Sequence, residues 1–377
     1  MPWGEGQRRR CSRLQEIMDE KKLDLVVVGS PKNIFYFTGY ITAHLYMPSM
    51  LLLFRVDEPV LITGAADKEL AARKFGGEVL EYVNYSLDTR MRPYPNLAVE
   101  TSRKTLARFK PENGRIGYEG WGLNSAMLHE LVRSFKGADL QDISQDILWM
   151  RISKDEDELE ELRKAGRLND LAYGLAKTVA LEGKTEVDIY AYVQSELIKE
   201  VGGYQYFYGD IVSGERCVNI GGPPTRRVLR NGETVILDLW VVTGEYWSDT
   251  CRTFVVGGKP SPEQDKVFKV LIEVLRAGED VLRPGVTGAE VYKAVYDAID
   301  RAGYGKYFPH HAGHCLGLEA WEPPYFIPGD NTPLRENSVC TLEPGIYFSE
   351  IGGVRLENNY VVRRDGVEVL NRFPLEP

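Results

Sequence analysis

The chain has 377 residues, 43% of them hydrophobic and 27% charged, with a formal net charge of −9. That length allows two or three domains with sizeable cores, and the acidic balance argues against a nucleic-acid or anionic-membrane partner, which would need a basic face. No stretch approaches the eighteen or so consecutive apolar residues of a membrane span, and no apolar segment ending in a cleavage site opens the chain, so a cytoplasmic protein is expected.

The run "RLQEIMDEKKLDLVVVGSPKNIFYFTG" reads as a helix-period segment, a strand at 25–28 and a loop at Ser30, Pro31 and Asn33. Strand-like runs follow at 50–54, 60–63 and 115–118, with helical segments near 68–75, 96–109 and 124–135. This alternation predicts an α/β domain, a sheet covered by helices, over 1–148. From Ser153 the composition turns charge-rich and helix-periodic, with Ser153 and Glu156 offering a capping box and the acidic run 155–161 a solvated first turn. The second domain is expected over 153–377. The five cysteines, Cys11, Cys217, Cys251, Cys315 and Cys340, fit neither zinc spacing nor a disulfide framework, and are expected reduced and mostly buried.

A weak repeat lies in the second domain. "GKTEVDIYAYV" from Gly183 and "GVTGAEVYKAV" from Gly285, 102 residues later, share Gly, Thr, Tyr and Val. Each copy starts a helix through a threonine cap, and each is followed by an apolar strand pair carrying two acidic residues. A duplicated helix-and-hairpin unit around a shared cleft explains both.

Asp238 stands inside "VILDLWVV", where an ionised carboxylate needs a partner or a metal. Asp249 lies across a turn at 243–245. In the second pair Glu343 and Glu357 are separated by a turn expected at Gly352-Gly353. Four carboxylates facing one cleft cannot all stay ionised without cations, and a pair of divalent ions resolves the conflict. His314, flanked by Gly313 and Gly317, is the natural fifth ligand. One imidazole among carboxylates suits manganese, cobalt, iron or zinc over magnesium.

At these residues the chain resembles the pita-bread metallohydrolases: methionine aminopeptidase, aminopeptidase P, prolidase and creatinase. The stretch "LDLVVVGSPKNIFYFTGY" is similar to the creatinase-like N-terminal domain, and "ETVILDLW", "YWSDTCRTF", "GHCLGLE", "TLEPGIY" and "GGVRLEN" are similar to the motifs of the catalytic domain. The resemblance covers nearly the whole chain. It implies a pita-bread domain with pseudo-twofold helix-and-hairpin repeat, binding two divalent ions, manganese or cobalt first. Asp238 would bind one ion, Asp249 and Glu357 would bridge, and His314 with Glu343 would complete the other. Glu343 would also take the proton of the attacking water, and His310, four residues before His314, would contact substrate. Tyr246, Arg252 and Arg355 flank the ligands as family residues do, as support or charge balance. The resemblance favours a homodimer, in which His44 and the neighbouring "LYMPSM" could reach a partner's cleft; the aromatic run 204–210 could line the cleft.

Two departures stand out. Most family peptidases carry a substrate-contacting histidine seven residues after the ligand histidine, where this chain has Trp321, and another about seventeen before the first aspartate, where it has Gly221. His311 has no family counterpart and is read as a surface or capping histidine, and oxidation of Cys315 could disturb its neighbour His314. The leading expectation is hydrolysis of Xaa-Pro bonds in short peptides. The alternatives are a metal-dependent enzyme acting on a non-peptide substrate, as amide hydrolase or lyase, and a non-catalytic binding module.

Overall fold

A computed structural model describes residues 4–42, 44, 47–83, 94–107, 114–135 and 137–377. The chain divides into two compact units, 1–150 and 151–377.

In the first unit the order is α1 (Glu5–Lys21), β1 (Leu25–Val28), α2 (Pro31–Thr38), β2 (Met50–Phe54), β3 (Val60–Gly64), α3 (Lys68–Lys74), β4 (Glu78–Tyr82), α4 (Tyr94–Leu106), β5 (Arg115–Tyr118), α5 (Ser125–Ser134), β6 (Asp139–Asp142) and α6 (Ser144–Ile152). The strands form one mixed sheet in the order β4-β3-β2-β1-β5-β6. Its central strands are buried at every residue, which is why LVVV and MLLLF read as unbroken apolar runs. Several details differ from expectation. The edge strands β4 and β6 are not among the expected strands, since neither carries an apolar run and both are mostly unburied. The segment at 30–33 is the start of α2: the Ser30 hydroxyl accepts from the Asn33 N–H at 3.1 Å and Pro31 opens the helix. The helix expected at 96–109 is α4, and 108–109 lie outside the described residues.

The second unit contains α7 (Glu156–Val179), α8 (Glu186–Val201), β7 (Phe207–Ser213), β8 (Thr234–Thr243) and β9 (Tyr246–Val255), then α9 (Pro262–Glu279), α10 (Gly288–Arg301), β10 (His314–Cys315), β11 (Glu322–Tyr325), β12 (Val339–Leu342), β13 (Gly345–Phe348), β14 (Gly352–Arg355), β15 (Asn358–Arg363) and β16 (Gly366–Val369). Strands β7-β8-β9 form one antiparallel sheet, β11-β10-β12-β15-β16 a second, and β13-β14 a separate hairpin. The helix cap moves from Ser153 to Asp155, whose N–H donates to Glu158 Oε2 at 2.9 Å. Ser153 is committed elsewhere, donating to the Glu336 carbonyl, and Lys154 N–H to that of Asn337, so the backbone stays extended until 155. Glu158 itself is buried and receives the Tyr246 hydroxyl, so the acidic first turn is not wholly solvated.

The duplication is visible in backbone detail. Thr185 and Thr287 each close a capping box, with Asp188 and Glu290. Each threonine also forms an isolated antiparallel bridge to the stretch leading into its hairpin, Thr185 with Val228 and Thr287 with Pro333. Two matching cores result: Ile189, Val193 and Leu197 of α8 pack behind β8, and Val291, Val295 and Ile299 of α10 pack behind β12.

Candidate metal centre

Strands β8 and β9 pair over ten residues through a two-residue turn, Gly244 and Glu245, both at positive φ as the right-handed strand twist requires. The register sets Asp238 opposite Cys251 and Trp240 opposite Asp249, so the two aspartates are diagonal neighbours on one face. Asn359 on β15 fixes Asp249: its Oδ1 accepts the Asp249 N–H at 3.1 Å and its Nδ2 donates to the Asp249 carbonyl. The Trp240 indole N–H donates to the Asp249 carboxylate.

In the second half β12 and β15 pair up to Leu342 and Asn358, and the β13–β14 hairpin begins at Gly345 opposite Arg355. Glu343 and Glu357 therefore occupy the two points where the hairpin leaves the ladder. Its turn is 349–351, and Gly352-Gly353 belong to β14, because both pack so closely on 214–217 that a Cβ at Gly353 would lie 2.6 Å from the Cys217 carbonyl. The Glu357 N–H donates to the Cys251 carbonyl at 3.0 Å, joining the second half to the first. His314 sits on β10. Its Nδ1 meets the Cys315 carbonyl at 2.9 Å, and its Nε2 faces Asp249 Oδ2 and Glu343 Oε1, each at 3.6 Å. Gly313 is required there, because a Cβ would lie 2.3 Å from the Thr341 carbonyl.

The five expected ligands are thus brought together and all are buried. One ligand oxygen from each of Asp238, Asp249 and Glu357 falls within 4.8 Å of the others. Among the described residues, Asp238 Oδ1 and both carboxylate oxygens of Glu357 are buried with no hydrogen-bond partner. Burial drives Asp238 up to about 6 despite Arg355 beside it. Burial, with Asp238 and Glu343 nearby, raises Asp249 well above the carboxylate range. Burial with Asp249 and Glu343 does the same for Glu357. Glu343 goes the other way: burial opposes ionisation, but His311 and, behind it, His314 and His310 hold it at about 2. Orphaned, mutually repelling carboxylate oxygens beside an imidazole fit a set of hard or borderline divalent cations.

The outer residues fall into place less uniformly. Arg355 donates to the Asp238 carboxylate and, at 3.0 Å, to the Ile220 carbonyl. Arg252 wraps the backbone at Glu357, donating to its carbonyl and to Asn358 Oδ1. Tyr246 points away from the ligands, to Glu158 at 3.1 Å. His310 bonds the Tyr347 hydroxyl at 2.8 Å, and burial pulls its pKa to about 4. His311 is no surface or capping group: its Nδ1 is 3.3 Å from Glu343 Oε1, because the Glu343 N–H to Ala312 carbonyl bond lays this segment along the glutamate. Trp321 stacks on His314, ring centroids 4.7 Å apart, while 52% exposed. At Gly221 a Cβ would lie 2.2 Å from Asp210 Oδ2, so the acid of β7 stands where a longer side chain would go. Of the aromatic run, Tyr208 stacks on Trp240 at 5.0 Å and Tyr206 meets Trp247 edge-on. His44 in the first unit meets Asp67 at 3.1 Å, and Leu45 and Tyr46 lie outside the described residues.

Sequence reasoning missed Trp240, Asn359 and the buried Glu322, which pairs with Arg151 and Lys154. The signals were faint: an indole two residues after Asp238, an amide two after Glu357, and an acid in a proline-rich run.

A duplicated helix-and-hairpin unit enclosing four carboxylates and a histidine is the pita-bread architecture, here in the same chain as a creatinase-like domain. Residues 160–364 match Metallopeptidase family M24, and residues 10–153 match the Creatinase/Prolidase N-terminal domain. The chain belongs to metallopeptidase family M24. It is 32% identical to an Xaa-Pro dipeptidase of Lactobacillus delbrueckii subsp. lactis, over 94% of both chains. Its structure is similar to a prolidase from Pyrococcus horikoshii (27% identity, TM-score 0.84, 98% of this chain and 99% of that one). It is also similar to an X-Pro aminopeptidase from Thermotoga maritima (25% identity, TM-score 0.84, 97% and 98%). No helix among the described residues is long and apolar enough to cross a membrane.

Proposed function

We propose that the chain hydrolyses Xaa-Pro bonds of short peptides at a centre of two divalent cations, manganese or cobalt, held by Asp238, Asp249, His314, Glu343 and Glu357. The observation that carries this is the set of buried carboxylate oxygens on Asp238 and Glu357 that no protein donor satisfies. When bound, such cations supply Lewis-acid chemistry to a carbonyl and to water. The chain's own residues supply the rest. Glu343, held ionised, accepts a proton from the attacking water and passes it to the leaving proline nitrogen, so that one amide and one water become an acid and an amine. Arg355 keeps Asp238 oriented, Arg252 and Asn359 fix the backbone behind Glu357 and Asp249, and His310 is placed by Tyr347. The functional domains are taken as 1–148 and 153–377, and the enzyme as a cytoplasmic homodimer. Protein produced with manganese or cobalt should carry about two ions per chain and cleave a panel of Xaa-Pro dipeptides. Less than one transition-metal ion per chain would sink the reading.

A second reading keeps the cations and changes the substrate to a non-peptide amide. It is favoured by the indole of Trp321, whose apolar face is stacked directly on His314. Under this reading Xaa-Pro dipeptides are not turned over, and Trp321→His raises peptide cleavage.

A further inference from the structure

We propose that His311 is the imidazole that hydrogen-bonds the reacting group of the substrate in this centre. The inference rests on the hydrolase reading above and concerns a residue outside the ligand set.

The centre is rich in acceptors and poor in available donors. Its four carboxylates only accept when ionised. Arg355 is committed to Asp238, Tyr347 and the Ile220 carbonyl. The Trp240 N–H is committed to Asp249. His314 uses Nδ1 on the Cys315 carbonyl and turns Nε2 to the acids. His310 uses both ring nitrogens, on the His311 carbonyl and on Tyr347. A carbonyl that gains negative charge during attack needs a preorganised donor, and of these donors only the fully buried Arg355 Nε lacks a partner among the described residues.

His311 differs from each of them. Its ring touches three members of the centre at once: Nδ1 lies 3.3 Å from Glu343 Oε1, its edge meets Trp321 at 4.9 Å between centroids, and His314 is 5.7 Å away. Among the described residues no hydrogen bond engages either ring nitrogen, Nδ1 being buried beside Glu343, and the side chain keeps 21% exposure. The Glu343 contact holds Nδ1 and leaves Nε2 available to a substrate. Trp321, packed edge to face, fixes the ring plane. The arrangement explains how a tryptophan can stand at 321: the imidazole enters the same space from the preceding segment, three residues before His314 instead of seven after it.

The test uses the full chain loaded with cobalt. With an Xaa-Pro dipeptide, His311→Ala should lower kcat about 100-fold, the usual cost of one oxyanion donor, while KM changes less than about threefold and the cobalt content is retained. His311→Gln, which keeps a donor, should recover about tenfold of that loss. Adding Trp321→His to His311→Ala should restore turnover by placing an imidazole in the same space from the other side. As a readout independent of turnover, inorganic phosphate titrated into the cobalt protein, followed in the cobalt absorption spectrum, should bind at least about tenfold more weakly to His311→Ala. An unchanged phosphate affinity overturns the proposal whatever the turnover, and so does loss of cobalt from His311→Ala, which would make the residue a ligand. If the unaltered chain cleaves no Xaa-Pro peptide yet His311→Ala still weakens phosphate, the peptidase reading fails and the assignment of His311 stands.

Discussion

In β8 and β9 the two aspartates lie inside an unbroken ten-pair ladder, whereas in β12 and β15 the two glutamates lie just past the end of a four-pair ladder, where a second hairpin is inserted. The shorter acid is used where the backbone is fixed by pairing on both sides, and the longer one where the chain has left the sheet and the extra methylene must regain the reach. The counter-charges differ too. Asp238 has Arg355, contributed by the second half, and Glu343 has His311, while among the described residues the oxygens of Glu357 have none. The repeat thus keeps its acidic residues without keeping the way they are held, and the uncompensated acid is the one whose charge the proposed cations would balance.

The comparison can be broken most directly at the acids themselves. Asp249→Ala and Glu357→Ala should each lower turnover by at least about 10³-fold, on the order of 4 kcal/mol in the barrier, with loss of bound metal measured by elemental analysis. A Glu357→Ala enzyme that keeps full metal would show that the two halves are not equivalent.

Next in size is the support of the second half. Glu322 opposes Cys315 across β10 and β11 and is buried between Arg151 and Lys154, which outweigh the cost of burial and hold it at about 2. Glu322→Gln should cost about 3–5 kcal/mol in denaturant unfolding, since it strands two buried cations. Because its folded pKa lies below the ordinary value, its contribution is complete above pH 4.5 or so and is lost as pH falls toward 2.

The ligand carboxylates predict the opposite slope for the metal-free protein. With Asp238 raised to about 6 and Asp249 and Glu357 also raised well above the carboxylate range, their protons are held more tightly folded than unfolded. Stability attributable to them is therefore present at low pH and falls as pH rises from about 4 through 6 and beyond. Manganese at a hundredfold excess over its Kd should return about 2.7 kcal/mol, seen as a rise in Tm at pH 7.5. A metal-free protein that becomes steadily more stable between pH 4 and 7 would contradict the burial of unpaired acids.

The smallest effect tests the symmetry. Thr185→Ala and Thr287→Ala remove equivalent caps, and each should cost about 1 kcal/mol. Unequal costs would show that the two bridges, to Val228 and Pro333, carry different loads.

The central strands of the first unit were legible because burial on both faces writes itself into unbroken apolar runs such as 25–28 and 50–54, whereas the edge strands β4 and β6, mostly unburied, carry no such run and were missed. The acidic positions proposed as ligands stood out because a carboxylate buried in such a run must be paired or hold a cation. The start of α2 was not, since Ser30, Pro31 and Asn33 serve a turn as well as a cap, and only the helical path of residues 34–38 separates the two. The Gly352-Gly353 turn failed for a related reason: glycine signals positive φ or close approach alike, and here Gly352 has a φ of 84° as the chain leaves the turn at 349–351, while both glycines are packed closely on 214–217 within β14. His311 was invisible because nothing within its own segment distinguishes an imidazole facing Glu343 from one facing solvent.

By itself the sequence carried the duplicated unit, through local periodicity, and the motifs by which the chain resembles its family, because both are written in short local runs; the ligand set is what that resemblance implies. Only the tertiary structure decided which groups meet: Arg355 on Asp238, Asp210 against Gly221, Trp321 over His314 and His311 on Glu343. Three of these pairs join segments separated by more than a whole element, and the stack of Trp321 on His314 depends on the return of β11 along β10, so the packing of the two halves around one centre chooses the partners.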